Sequence, residues 1–315
     1  MLGDFPCGPC HVGDLAHVFN GRLYQTVDFE DHGRWGNLLA NYWAGRTIAS
    51  LGGVAFASCG RFEEHMDPWS AFLPRWLDAQ PSEANCTAFA AACEQCNHLT
   101  YSEWFFPSLC SKLWRPFRAR IASDTRAAMK KWARLHARPW PPPQMEESIV
   151  IQSRCSEDTW IGHPQYGQTA FSHFDAIPAN TTRRIVIVTE LGALANHAGC
   201  AAKNTALVRR LRRRHPNASH VDVLDGDLFD GFAAMAFAHE LFRDSSSLSV
   251  WAGLANERAV IWSPREGLNM DDMGDPELLR RTTAPVLFPG RAVNEFNFST
   301  TEEGITRMVK WLEDN

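Results

Sequence analysis

The sequence lacks what would place it in a membrane or on a nucleic acid. No apolar run is long enough for a span or a signal peptide, and the opening Met1-Leu-Gly-Asp-Phe-Pro-Cys7 has no basic n-region. As written, the chain is expected to be soluble and to make no membrane contact. Charge of one sign is missing too. Thirty-one Lys and Arg against 36 Asp and Glu give a net charge of −5, which disfavours a nucleic-acid partner. There is no internal repeat, coiled coil or low-complexity tract, and neither a phosphate loop ending in Gly-Lys-Ser/Thr nor a full G-x-G-x-x-G. With 315 residues, 45% of them hydrophobic and 21% charged, the chain has the composition of a globular protein of two domains or one large α/β domain.

Nine cysteines are present, with Asn-x-Ser/Thr triplets at Asn85, Asn180, Asn217 and Asn297. Both suit a lumenal or secreted protein. Either an N-terminal anchor precedes this sequence, which would place the protein in the Golgi or another secretory lumen, or the chain is cytoplasmic and its cysteines are reduced.

The pattern along the chain is that of an α/β protein. Gly21 to Val27 reads as an edge strand. Apolar residues from Leu38 to Leu51 keep helical spacing, Gly52-Gly53 ends that helix, and Val54 to Ala57 is a short strand, a loop, helix, strand unit of Rossmann type. Residues 61–138 read as helical, with Trp69, Trp76, Trp104, Trp114 and Trp132 as core residues. Proline in Arg138-Pro-Trp-Pro-Pro-Pro-Gln144 cannot continue a helix, so this run is a stiff connector. It separates domains predicted over residues 1–143 and 144–315. Strands at Ile149–Ile151, Arg184–Val188, Val221–Leu224 and Ala259–Trp262 then alternate with helices near 196–214, 228–242 and from Ser247, and Thr301 to Leu312 is a final helix. Uninterrupted β-branched strands between helices predict a parallel sheet covered on both faces.

Such sheets bind ligands at the carboxyl ends of their strands. Glu147-Ser-Ile-Val-Ile-Gln-Ser-Arg-Cys155 delivers Gln152 and Arg154 there. A guanidinium just beyond a buried strand either meets an anion such as phosphate or pairs with a carboxylate such as Asp158. Ser245, Ser246, Ser247 and Ser249 stand at the start of a helical pattern, where hydroxyls and unpaired N–H groups form an anion site or simply cap the helix. Asp225-Gly-Asp227 comes directly after a strand, placed either to accept from ribose or guanine or to form a turn in which Asp227 caps the next helix. Gly33-Arg-Trp-Gly-Asn37 combines glycines that permit close backbone approach, Arg34, and a helix-capping Asn37.

Two cysteine motifs point nowhere further. Cys7-Gly-Pro-Cys10-His11 matches dithiol and haem patterns without their surroundings, and Cys93-x-x-Cys96 lies too far away to complete a zinc site with it. The cluster Arg209 to Arg214 is predicted to be a solvated helix end, where cations are favoured.

Gly33-Arg-Trp-Gly-Asn37 resembles the Gly-Arg-Leu-Gly-Asn that opens the fucosyltransferase superfamily. Ile151-Gln-Ser-Arg154 is similar to its strand motif His-x-Arg, and Asp227 to Met235 together with Ser245 to Ala252 resembles its last donor-binding block. The resemblance spans most of residues 33–262. It implies a GT-B-like α/β fold, with two Rossmann-like domains and a cleft between them, and an inverting transferase that moves a sugar from a GDP-sugar, GDP-fucose in particular, to a glycan or glycoprotein. Arg154 would contact the donor phosphates, with Gln152 beside it. Ser245, Ser246 and Ser247 would hold the pyrophosphate and Asp225 or Asp227 the guanosine. Arg34, Gly36 and Asn37 would reach the donor from the first domain, and His163 and Tyr166 in Gly162-His-Pro-Gln-Tyr-Gly167 would shape the pocket. No cofactor or metal is expected, since arginine and helix amides take the cation's place. Gln152 stands where the family usually has His and Trp35 where a smaller residue is usual. Glutamine cannot carry a proton, so the base is sought among Asp31, Glu157, Asp158 and His163, and a non-catalytic relative that binds nucleotide-sugar or glycan is the alternative.

Overall fold

Unbroken β-branched runs decide the architecture of the second half. Ile149–Gln152 (β4) and Ile185–Val188 (β6) are buried at every position, which requires cover on both faces of the sheet. The computed structural model describes residues 17–19, 22–27, 36, 39, 43, 55–60, 118–155, 167–189, 197–256, 258–264, 279–287 and 301–315. They divide into two units, Met1–Arg138 and Pro139–Asn315. The division falls at the head of the proline run.

In the first unit, His17–Phe19 (β1) pairs antiparallel with Arg22–Val27 (β2), which pairs parallel with Ala55–Gly60 (β3). The segment expected at an edge is therefore the central strand of three. The reason is that β3 adds to its free side after a crossover, and Gly36, Leu39 and Trp43 are helical positions of that crossover, buried on one face. Arg118–Leu135 (α1) buries Ile121, Ala122, Met129, Trp132 and Ala133 along one stripe. Trp69, Trp76, Trp104 and Trp114 lie outside the described residues.

The second unit holds a six-stranded sheet in the order β10-β9-β8-β4-β6-β7, where β7 is Val221–Leu224, β8 Glu240–Phe242, β9 Val260–Ser263 and β10 Leu279–Arg281. Every pairing in it is parallel. Numbered along the chain, these strands stand in the order 3-2-1-4-5-6, the doubly wound Rossmann arrangement. A separate antiparallel pair joins Gln168–Thr169 (β5) to Val286–Leu287 (β11). A Cβ at Gly167 would come within 2.5 Å of the Leu287 carbonyl oxygen, so only glycine permits this approach.

Side chains alternate between the two faces. Ile149, Ile151, Ile185, Ile187, Val221 and Phe242 pack with Leu207 and Leu211 of Ala198–Arg214 (α2) and with Met308 and Leu312 of Glu302–Asp314 (α5). Each such Ile or Leu contributes about 1.5–3 kcal/mol. Leu228–Phe237 (α3) packs against β4, β6 and Ser247–Ala255 (α4). It approaches so closely that a Cβ at Gly231 would lie 2.9 Å from Val188 Cγ1.

The helix expected to run to Phe242 ends at Phe237, and Glu240–Phe242 is a strand beside β4. Met235 to Phe242, apolar except at His239 and Glu240, is too short to have a period that separates buried helix from buried strand. The tertiary context decides: His239 N donates to Ser148 O at 2.9 Å and starts the ladder. Asn256 secures the corner, donating to Met235 O and Ala238 O while accepting from Arg258 N and Ala259 N.

The arginines of 209–214 do more than cap a helix. Arg210 pairs with Asp175 at 3.0 Å, Arg209 with Glu313 at 2.7 Å, and Arg212 donates to Val221 O, so they tie α2 to its neighbours.

Candidate functional site

Strand order reverses between β4 and β8. From there the chain winds one way to β6 and β7 and the other way to β9 and β10, which opens a crevice beyond the carboxyl ends of β4 and β8. The residues at this point are Gln152, Ser153, Arg154 and Cys155 after β4, and Arg243, Asp244 and the serines after β8.

Asp244 ties the two sides together. Its Oδ2 accepts from Arg154 N at 3.0 Å and from Lys203 Nζ at 3.2 Å, and its Oδ1 accepts from Thr169 Oγ1 at 2.5 Å and Ser245 N at 2.8 Å. Lys203, from the buried side of α2, also donates to Gln168 Oε1 at 2.7 Å and to the carbonyl of Arg154 at 3.0 Å. Lys203 and Asp244 are each 2% exposed. Burying such a pair is tolerable only because each remaining donor and acceptor is matched. One residue on, Cys155 is bonded to Cys200 of α2 across a separation of 45 residues. On a chain-entropy account that link restricts the unfolded chain by about 4 kcal/mol.

Arg243 is fully buried beneath the start of α4. Burial pushes its pKa down to about 9, against the pull of the neighbouring Asp244 carboxylate, so the guanidinium is still charged at neutral pH. It donates from Nε to Ser249 Oγ at 3.4 Å, from Nη1 to Ser263 Oγ at 3.0 Å and from Nη2 to Ser246 O at 3.4 Å. Ser246 is the N-cap of α4, in extended conformation, and its side chain makes no capping bond. A guanidinium and the positive end of a helix dipole thus share one corner. Two like charges so placed favour an anion over the helix start.

Of the residues expected from the sequence, Arg154 is half-buried beyond β4, with its backbone held on both sides. Gln152 is buried, and its Oε1 has no hydrogen-bond partner among the described residues. Ser245 and Ser246 are buried after β8, and Ser247 is the first residue of α4. All five meet at the reversal of strand order. Asp225 and Asp227 stand after β7, two strand spacings from β4, or about 10 Å. Asp225 Oδ1 is buried without a partner among the described residues, whereas Asp227 caps α3, accepting from Asp230 N at 2.8 Å. Gly36 belongs to the first unit, at a buried helical position. Arg34, Asn37, His163, Tyr166 and the candidate bases Asp31, Glu157 and Asp158 lie outside the described residues.

No protein-family model matches the chain. No curated protein matches it either. Among solved structures it is similar to the E. coli heptosyltransferase WaaC with ADP, at a TM-score of 0.39 and 12% identity over 92% of this chain and 99% of that one.

Sequence reasoning missed Lys203, Arg243 and Asp244. The signal for Arg243 was available, since it succeeds an apolar strand just as Arg154 does, once Glu240–Phe242 is read as a strand. Lys203 gave no such signal: within Ala-Ala-Lys-Asn-Thr it reads as an ordinary helical lysine.

Proposed function

We propose that the chain is an inverting glycosyltransferase that moves a sugar from a GDP-sugar, GDP-fucose first among them, to a hydroxyl of a glycan or glycoprotein. The observation that carries this reading is the arrangement at the strand reversal. An arginine beyond the first strand and a helix N-terminus beyond the fourth are joined through Asp244, with the buried Arg243 guanidinium behind the helix. That is positive potential without a metal, suited to a diphosphate.

In the reaction, an acceptor oxygen bonds to the anomeric carbon as the bond from that carbon to the β-phosphate oxygen breaks, inverting the centre. GDP departs with the electron pair, and Arg154 and the α4 amides stabilise its growing charge. The acceptor proton passes to a base sought among Asp31, Glu157, Asp158 and His163. Asp225 is the better candidate for the nucleoside, because its Oδ1 lacks a partner among the described residues while Asp227 is engaged as a cap. A secretory lumen, the Golgi in particular, is the proposed location. The Cys155–Cys200 bond and the exposure of Asn180 and Asn217 in turns support it.

Gln152 favours a second reading, a non-catalytic relative that binds nucleotide-sugar or glycan, since a buried amide moves no proton. Donor hydrolysis separates the two, because a transferase leaks sugar to water and a binding module does not.

The test is a thermal-shift titration with GDP, UDP and ADP, in which a ligand of the folded state raises Tm. Selective stabilisation by GDP, lost in Arg154→Ala at unchanged ligand-free Tm, is the expected result. No shift with any nucleotide removes the reading.

A further inference from the structure

We infer that Lys203 is a positioning residue for Arg154, gripping the backbone from which that guanidinium is presented to a diphosphate. The inference rests on the proposed nucleotide-binding function and goes beyond it, to a residue that touches no ligand.

The peptide groups on either side of Arg154 are held by opposite partners. Its N–H donates to Asp244 Oδ2, its carbonyl accepts from Lys203 Nζ, and the two partners are bonded to each other at 3.2 Å. The result is a closed ring of backbone, ammonium and carboxylate. Cys200 and Lys203 stand one helical turn apart on the buried side of α2, so the helix holds two successive residues, Arg154 by its carbonyl and Cys155 by its sulfur.

Lys203 cannot contribute to the site by direct contact. It is buried, and its three protons go to the Arg154 carbonyl, Gln168 Oε1 and Asp244 Oδ2. Packing alone does not explain it, because an apolar side chain of similar length fills such a place without the cost of burying a charge. What an apolar side chain cannot do is orient two peptide planes. A guanidinium that must meet phosphate oxygens in a fixed fork depends on that orientation, since displacement of a binding group by about 1 Å costs on the order of 100-fold in the step it serves.

The experiment measures GDP and guanosine affinity by calorimetry for the wild type, Lys203→Met, Arg154→Ala and the combination of the two. Lys203→Met is expected to weaken GDP by roughly 10- to 100-fold and guanosine little, so that the ratio of the two affinities falls. Within Arg154→Ala, Lys203→Met should produce no further loss of GDP, because the group through which it acts is gone. A general loosening of the fold would lower both affinities together and persist in the Arg154→Ala background. Either result overturns the inference, as does wild-type GDP affinity in Lys203→Met. Should Lys203→Met fail to fold, leaving Asp244 as an uncompensated buried charge, Lys203→Met with Asp244→Asn removes both charges at once and is held to the same ratio and the same background test. A wild type that binds neither GDP nor guanosine instead refutes the functional reading, and the inference falls with it.

Discussion

The two edges of the same parallel sheet treat charge in opposite ways. At the amino edge, Arg184 and Asp222 pair at 2.8 Å while 31% and 42% exposed, and the turns before β6 and β7 are open to solvent. At the carboxyl edge, Lys203, Asp244, Arg243 and His173 are taken out of water altogether. A fold has no general need for the second arrangement: exposed pairs cost little, and buried ones demand that each donor and acceptor be matched. Among the described residues, charge is buried at such cost where ligands bind a parallel sheet, which argues that it is there to shape a site.

The largest effect that would sharpen the contrast is at Asp244. Asp244→Ala strips Arg154 N, Lys203 Nζ, Thr169 Oγ1 and Ser245 N of an acceptor and leaves the buried Lys203 ammonium without its carboxylate partner. Destabilisation of about 3–5 kcal/mol is expected, read as a fall in the urea midpoint at unchanged slope. A loss below about 1 kcal/mol would mean that the carboxyl edge is as forgiving as the amino edge, and the contrast would collapse.

These charges were also the least legible part of the sequence. Ile149–Ile151, Ile185–Val188 and Val221–Leu224 read directly as strands, because β-branched runs bounded by breakers admit little else. Gln152 and Arg154 could be placed from them, since the end of a strand locates the residues just beyond it, whereas Ser245 to Ser247 could be placed only as the start of a helical pattern. Lys203 and Asp244 could not, because the fact that defines them is a contact across 41 residues, between a helix and a strand end. Phe242 shows the same limit in another form. Met235 to Phe242 is apolar except at His239 and Glu240 and is too short to show a local period, so the change from helix to strand at Ala238 is set by pairing with β4.

His173 carries the contrast into pH dependence. Burial, opposed by the nearby Asp244 carboxylate, lowers its pKa to about 4 from an ordinary 6.5. The folded state therefore holds the ring neutral, and the unfolded state takes up a proton first as pH falls. Stability is fully present above pH 6.5 and is lost toward pH 4, by about 3 kcal/mol. His173→Gln should remove that part of the acid sensitivity, measured as the difference in unfolding free energy between pH 7 and pH 4.5 for the two proteins. Equal acid losses in both would show that His173 titrates as an exposed imidazole does.

Arg184→Ala tests the amino edge from the other side. Its partner Asp222 stays hydrated when the arginine is gone, so the expected cost is about 0.2–1 kcal/mol, shrinking further in high salt. A loss as large as that at Asp244, unmoved by salt, would mean that the pair is structurally more important than its exposure suggests.

The smallest effect concerns the same edge and its openness. Asn180-Thr-Thr182 and Asn217-Ala-Ser219 occupy adjacent turns, joined by a bond from Ser219 N to Thr182 O at 3.2 Å, and both asparagines are exposed. They precede β6 and β7, at the opposite end of these strands from Arg154 and Asp244. Glycans attached there would hang in solvent and leave the binding edge clear. Expressed through a secretory pathway, the protein should lose apparent mass on treatment with peptide N-glycosidase F, in two steps removed singly by Asn180→Gln and Asn217→Gln. Neither substitution should change the GDP-induced rise in Tm. Persistent full occupancy after both substitutions would assign the glycans to other triplets, whereas a changed GDP response would mean that the two edges are coupled through the sheet, and that charge at one end is felt at the other.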